Sequence, residues 1–341
     1  MLKRRRSRST GVVGIIAAVA AGAGLWGASA GATASSHSAD PTGKAAASGV
    51  TIDFVCATPA VSPFFAPIES GAQDAGTAMG VNLSYTGISN TITGPAMAQV
   101  LQAAVNQKPS ALIFCNFFPT AEDSIAKAAS RAGIPVFVTN SITDAVKDGA
   151  LSSFAAAGTE PGVAAGKEML AAGVKHPLCV DDVPTNPSVA AWCTGFAAAF
   201  KAKGIKAQTD NLPADDNNNP TGILAATKGA LEANTKIDGV LALGNAQVVA
   251  VAQAVADTGR ASKIKVGGFN ISSQVLSDIQ NGSILFTVWQ QPYLEGYLPV
   301  VAAALHAKYG MYPVGYTATG PVVVTKQNLA IVQAAEAKGD A

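Results

Sequence analysis

The sequence predicts an α/β fold of two doubly wound parallel-sheet lobes, joined by a hinge that the chain crosses three times. Three observations lead there. Short β-branched runs alternate with amphipathic stretches of helical length, the mark of β-α-β units on a parallel sheet. The alternation completes one set of strands by Thr139 and restarts at Glu160, so two similar lobes are expected. After Val288 only one long helix, one strand and one last helix remain, too few for a third domain, so they must return to the sheets already built.

The first unit sets the pattern. Thr51–Cys56 is a buried-strand run, and Ser62-Pro63 joins a good N-cap to the residue favoured at the first helical position. Phe65, Ile68, Ala72, Ala75 and Met79 give the next helix one apolar stripe, and Gly80 ends it. Phe64 stands off that stripe at the mouth of the loop, at the carboxyl end of the strand, where open α/β sheets bind ligands. Strand Val81–Tyr85, helix Gly94–Gln107, strand Ala111–Cys115, helix Thr120–Ala132 and strand Pro135–Thr139 follow. Thr120 and Asp123 form a capping pair at the start of the last of these helices.

The second set opens with helix Glu160–Ala172, strand Leu178–Asp181, helix Ser188–Lys203 and strand Lys206–Thr209. Helix Gly222–Ala233, strand Gly239–Leu243 and a helix capped by Asn245 come next. Strand Ile264–Phe269, helix Ser272–Gln280 and strand Ile284–Val288 close it. Helix Pro292–Tyr309, strand Pro321–Thr325 and a helix capped by Thr325 end the chain.

Composition narrows the function. The 341 residues carry a net charge of +1, only 13% are charged, and the Lys and Arg past the leader are scattered, so no nucleic-acid surface is expected. Residues 1–34 read as a cleaved signal peptide: Lys3–Arg8 is basic, Val12–Trp26 is apolar, and Ala28-Ser29-Ala30 or Ala32-Thr33-Ala34 offers the small residues of a cleavage site. No Cys stands nearby to carry a lipid anchor, and residues 35–49 read as a disordered linker. The expected location is therefore the periplasm, cell envelope or exterior.

The four cysteines form no CxxC pair, and with three histidines in the chain no metal or other cofactor is expected. Export permits disulfides. The strand placements allow Cys56–Cys115 and Cys179–Cys193, or else four buried thiols.

Four marks occur in order: Ser62-Pro63-Phe64-Phe65 after the first strand, Gly244-Asn245 after Val240–Leu243, Gly268-Phe269-Asn270 ending a strand, and Trp289-Gln290-Gln291-Pro292. With them the chain from Val50 to Gln333 resembles the type I periplasmic solute-binding proteins, in the branch typified by ribose-binding protein. The resemblance implies a monomeric, non-enzymatic receptor that closes on one small molecule and passes it to the membrane permease of an ABC importer. The same shell can instead present a bound signal to a membrane receptor, or carry an enzyme, against which the near absence of His and the neutral set of pocket residues argue. It also implies lobes at residues 50–155 plus 291–319 and 156–290 plus 320–341, with crossings near Ala156, Gln290 and Gly320.

Carried over position by position, the resemblance assigns ligand contact to Ser62, Phe64, Phe65, Asn140, Ser141, Trp192, Asn245, Asn270 and Gln290. Trp289 offers a further flat face, unless it packs between the domains, and for Phe65 core packing competes with ligand contact. Sugar binders of this branch have an Asp-Arg pair where this chain has Asn140-Ser141, an Arg at Trp192 and an Asp at Asn270. Hydrogen bonds to charged groups contribute roughly 1.5–3 kcal/mol and neutral ones about 0.5–1.5. The expected ligand is therefore small and neutral, with an apolar or planar face: a modified sugar or a polar ring compound.

Other features carry less. Asp215, Asn217 and Asn219 are spaced like the start of a calcium loop, but Pro220 stands where the turn glycine belongs. Asp181-Asp182 reads as a pair of loop carboxylates without a partner nucleophile, and Asn186 as a loop residue only weakly placed for ligand contact.

Overall fold

The computed structural model describes residues 49–90, 92–141, 149–156, 158–216 and 219–339. The expected signal peptide and all of the expected linker but Gly49 lie outside the described residues.

In chain order the elements are β1 (Thr51–Ala57), α1 (Phe65–Met79), β2 (Asn82–Ile88), α2 (Gly94–Asn106), β3 (Ala111–Cys115), α3 (Pro119–Arg131), β4 (Val136–Thr139) and β5 (Ser152–Ala155). Then come α4 (Glu160–Ala171), β6 (Pro177–Asp181), α5 (Pro187–Lys201), β7 (Gln208–Asn211), α6 (Pro220–Ala233), β8 (Gly239–Ala242), α7 (Asn245–Asp257), β9 (Lys265–Phe269), α8 (Ser273–Asn281) and β10 (Phe286–Trp289). The chain ends with α9 (Pro292–Tyr309), β11 (Gly315–Ala318), β12 (Val322–Thr325) and α10 (Ala330–Glu336).

Two six-stranded sheets result, ordered β11-β5-β4-β3-β1-β2 and β12-β10-β9-β8-β6-β7. All pairings are parallel except β10 with β12. Each sheet is one lobe, and the first five strands of each follow the same order. The chain passes between them after β5, after β10 and after β11. Apolar strand residues such as Ile52, Phe54, Leu112 and Phe137 fill the first core, and Leu178, Val240, Val266 and Phe286 lie in the second lobe's buried clusters.

Two helix pairs anchor these crossings, and both depend on glycine. A Cβ at Gly71 of α1 would overlap the Tyr293 carbonyl of α9, and one at Gly296 would overlap the Ile68 carbonyl. Helix α9, which follows the second crossing, is thereby seated on the first lobe. In the second lobe a Cβ at Gly162 of α4 would overlap the Trp192 carbonyl of α5, so that helix pair packs backbone to backbone.

The structure corrects several expected boundaries. Helix α1 starts at Phe65, because Ser62 spends its hydroxyl on the Phe64 N–H in a tight turn, at 3.4 Å. Helix α3 starts at Pro119; Glu122, not Asp123, reaches back to the Phe118 N–H at 2.6 Å. Asp123 instead accepts from Asn116 Nδ2 at 2.7 Å. Gly244 takes the N-cap position of α7, and Asn245 is its first helical residue. Strand β7 sits two residues later than expected, and Thr325 turns on the Asn328 side chain before α10 begins. Strands β5 and β11 were not expected. The first is short and rich in small hydroxyl residues, and the second is an edge strand with every other residue exposed.

Both disulfides are present, Cys56–Cys115 and Cys179–Cys193, and no cysteine is free. The first joins the carboxyl ends of β1 and β3, and the second ties β6 to α5.

Candidate functional site

The carboxyl ends of both sheets face one cavity of about 440 Å³. That is the size range of small-molecule sites. The first lobe contributes Ser62, Phe64 and Phe65 from the β1–α1 connection, Phe117 and Phe118 after β3, and Asn140 and Ser141 after β4. The second contributes Asp182, Asn186 and Trp192 around β6 and α5, Asn245 and Gln247 at the start of α7, Asn270 after β9 and Gln290 after β10. Ser141 Oγ and Ser188 Oγ lie 3.4 Å apart, one from each side of the cleft.

Nine of the ten expected ligand residues therefore line one cavity. Trp289 does not. Its side chain is buried in the second lobe's apolar core, so the flat face expected there belongs to packing. Phe65 serves both roles, being buried in the first core and exposed to the cavity side; it meets Phe64 and Phe117 edge-on at 5.2 and 5.9 Å between centroids. Trp192 has one face taken: it stacks on Phe269 at 4.2 Å with the rings 1° from parallel. Its Nε1 is buried without a hydrogen-bond partner among the described residues.

Two asparagines occupy matching places in the two lobes. Asn140 follows β4 with φ 52°, and Asn270 follows β9 with φ 62°. Both are in the left-handed region, which Asn tolerates better than most side chains and which is a common conformation at binding sites. Their backbone N–H groups donate back into their own sheets, to the Phe154 carbonyl at 3.0 Å and the Val288 carbonyl at 2.8 Å. Each side chain is thus fixed at a strand end and directed by its amide partners. Asn140 Nδ2 donates to Glu295 Oε2 at 2.5 Å, whereas Asn270 Oδ1 accepts the Gln290 N–H at 3.4 Å. Asn245 is held locally, donating to the Ile271 carbonyl at 3.2 Å and accepting the Ala246 N–H at 2.8 Å, which leaves one N–H and one lone pair of its amide.

From the sequence Asp181 and Asp182 read as loop carboxylates and Asn186 as only weakly placed, while Phe117, Phe118, Gln247 and Glu295 are missed. Asp181 and Asp182 are buried rather than solvated, and Asp182 forms part of the cavity wall, accepting from Gln247 Nε2 at 3.0 Å. Burial, and then the charge of Asp182, push Asp181 up to about 6 against the opposing hydrogen bond from Val183 N–H. Asn186 caps α5, accepting the Ser188 N–H at 3.0 Å, and lines the cavity as well. Glu295 is fully buried behind the wall, and burial raises it to about 7 despite three hydrogen bonds that favour its charged form. Its signal was in the sequence: it is the lone acid in the otherwise uncharged run Pro292–Leu305.

The wall can hold a neutral polar molecule by amides, hydroxyls and one carboxylate, against aromatic faces. Among the described lining residues there is no Lys, Arg or His to balance an anion. Among the described residues no cluster of three or more His, Cys, Asp and Glu could hold a metal ion.

Comparison with known proteins agrees with this geometry. Residues 52–310 match the family described as periplasmic binding protein domain. A carbohydrate transporter protein from Acidothermus cellulolyticus 11B, solved in complex with myo-inositol, is 29% identical with a TM-score of 0.78, over 86% of this chain and 99% of that one. The xylose/arabinose-binding protein XylF of Sulfolobus acidocaldarius is 26% identical over 289 residues, 79% of this chain and 69% of that protein. A carbohydrate transporter solute-binding protein from Agrobacterium radiobacter, solved with D-arabinose, shares the fold with a TM-score of 0.73 at 24% identity, over 86% of this chain and 99% of that one.

Proposed function

The chain belongs to the periplasmic binding protein family, and we propose from that premise that it is an exported, monomeric receptor for a neutral cyclic polyol or modified sugar. The ligand is taken between the two lobes and handed to the membrane permease of an ABC importer. One observation carries the ligand class: the described cavity wall combines amides, hydroxyls and aromatic rings with a single carboxylate, Asp182, and no cationic side chain. Amides and hydroxyls suit the hydroxyl groups of a ring, and the carboxylate accepts from them strongly. Phe64, Phe65 and Phe118 offer apolar surface to the ring carbons. The relative with myo-inositol bound makes a cyclitol the first compound to test.

Ligand that touches loops of both sheets stabilises the shut arrangement, so binding and closure are one equilibrium. Titration calorimetry with myo-inositol, its O-methyl ethers, D-xylose and D-arabinose tests the assignment. Tighter binding of the cyclitols than of the free pentoses is expected. Tight binding of ordinary aldoses alone, or of charged solutes alone, would overturn it.

A further inference from the structure

Glu295 stands where the three crossings meet. It lies in the first turn of α9, just after the second crossing. Its Oε1 accepts the Ala156 N–H of the first crossing at 3.1 Å and the Thr319 hydroxyl of the third at 3.2 Å. Its Oε2 accepts Asn140 Nδ2, and its own carbonyl accepts the Thr139 hydroxyl at 2.6 Å. Among the described residues the carboxylate's hydrogen-bond partners are the Asn140 amide, the Ala156 N–H and the Thr319 hydroxyl, and Tyr316 of β11 donates its hydroxyl to the neighbouring Ala155 carbonyl at 2.6 Å.

We propose that Glu295 is a positioning residue that sets what the cavity reads: its carboxylate holds the Asn140 amide with Nδ2 inward, so that Oδ1 is presented to the ligand as a fixed hydrogen-bond acceptor. This rests on the cavity being the binding site for a neutral polyol. An ionised carboxylate only accepts, so it compels the Asn140 side chain to turn its NH₂ toward it. Asn270 is held the other way. Its Oδ1 is occupied by the Gln290 N–H, so its NH₂ is the end left for the ligand. The first lobe thus asks for a donor and the second supplies one. A hydroxyl satisfies both requirements, whereas an ether or carbonyl oxygen placed at Asn140 leaves two acceptors facing each other, a loss of roughly tenfold or more in affinity.

The same arrangement makes the reading depend on protonation. Oε1 already takes two donors and Oε2 one, so an added proton settles on Oε2, opposite the Asn140 amide. The amide then has to turn over, offering Oδ1 to the new O–H and NH₂ to the cavity. Burial places this change at about pH 7.

The first test needs no ligand. In the unliganded full chain, the Asn140 side-chain NH₂ resonances, assigned by their loss in Asn140→Ala, are followed by ¹⁵N correlation spectra from about pH 5.5 to about 8.5. A shift with a midpoint near 7 that disappears in Glu295→Gln is expected. Resonances that stay flat across the range in wild type overturn the proposal, even if Glu295→Gln proves unable to fold. The second test is calorimetry with myo-inositol at the two ends of that range. Wild type is expected to bind several-fold more tightly at the alkaline end, and Glu295→Gln to bind with no such pH dependence. Equal affinity at both ends in wild type counts against it. Failure of myo-inositol and the pentoses to bind at any pH removes the proposed ligand class, and the resonances of Asn140 then decide the role of Glu295 alone.

Discussion

The two disulfides differ in the length of chain they close, and their removal should therefore differ in effect. Cys56–Cys115 spans a separation of 59 residues and Cys179–Cys193 only 14. In the chain-entropy account, closing the longer loop stabilises by about 4 kcal/mol and the shorter by about 3 kcal/mol at 25 °C. Each bridge lies within one lobe, and for a unit of ~150–250 residues 1 kcal/mol moves Tm by ~2–4 °C. The paired variant Cys56→Ala/Cys115→Ala should then lower the melting of the first lobe by about 8–16 °C, and Cys179→Ala/Cys193→Ala that of the second by about 6–12 °C. All four sulfurs are buried, so each pair leaves a comparable small cavity that does not reverse the order. Differential scanning calorimetry of both variants, with thiol counts on unfolded wild type before and after reduction, makes the measurement. A larger loss from the short loop than from the long one, or four reactive thiols before reduction, would refute the reasoning.

Asn270→Ala should weaken myo-inositol binding by roughly tenfold, the worth of about one good hydrogen bond, while the circular dichroism spectrum stays native; unchanged affinity in calorimetry would remove Asn270 from the site. Trp192 lines the cavity and Trp289 does not, so Trp192→Phe should abolish the ligand-induced change in tryptophan fluorescence and Trp289→Phe should keep it; the reverse would show the wall is drawn wrongly. Glu295 should make the fold less stable as pH rises. Its folded value of about 7 lies above the ordinary glutamate value of 4.5, so the native state binds the extra proton between them, and stability present below 4.5 is lost as pH climbs through 7. The ceiling on that loss is about 3 kcal/mol. Urea melts of wild type and Glu295→Gln across this range measure it, and parallel curves would contradict the prediction.

The lobes were legible because their strands are plain apolar runs. Ala111–Cys115 and Gly239–Ala242 are short apolar runs of strand length, and both are buried strands. Ser152–Ala155 was not legible, because its place in the sheet comes from pairing with β4 and β11 rather than from its own side chains. At the site, Asn270 and Gln290 could be placed from their positions at strand ends. Asp182 could not, because adjacent carboxylates look solvated until the fold buries them. Trp289 stayed open between ligand contact and packing for a related reason: a strand's last residue can turn to either face, and only the packed sheet decides which.

The contact between Gly71 and Tyr293, and between Gly296 and Ile68, also limits where the molecule can bend. With no side chain between the two backbones, α9 cannot slide on α1 without collision, so it must travel with the first lobe as one solid piece. At the second crossing the swing then falls on the two residues ahead of it, Gln290 and Gln291, the latter already coiled the left-handed way at φ 59°, while the connections after β5 and β11 must turn with them. At that crossing opening turns on a very short span of peptide, and a methyl group added at Gly296 would push α9 off α1 directly beside it.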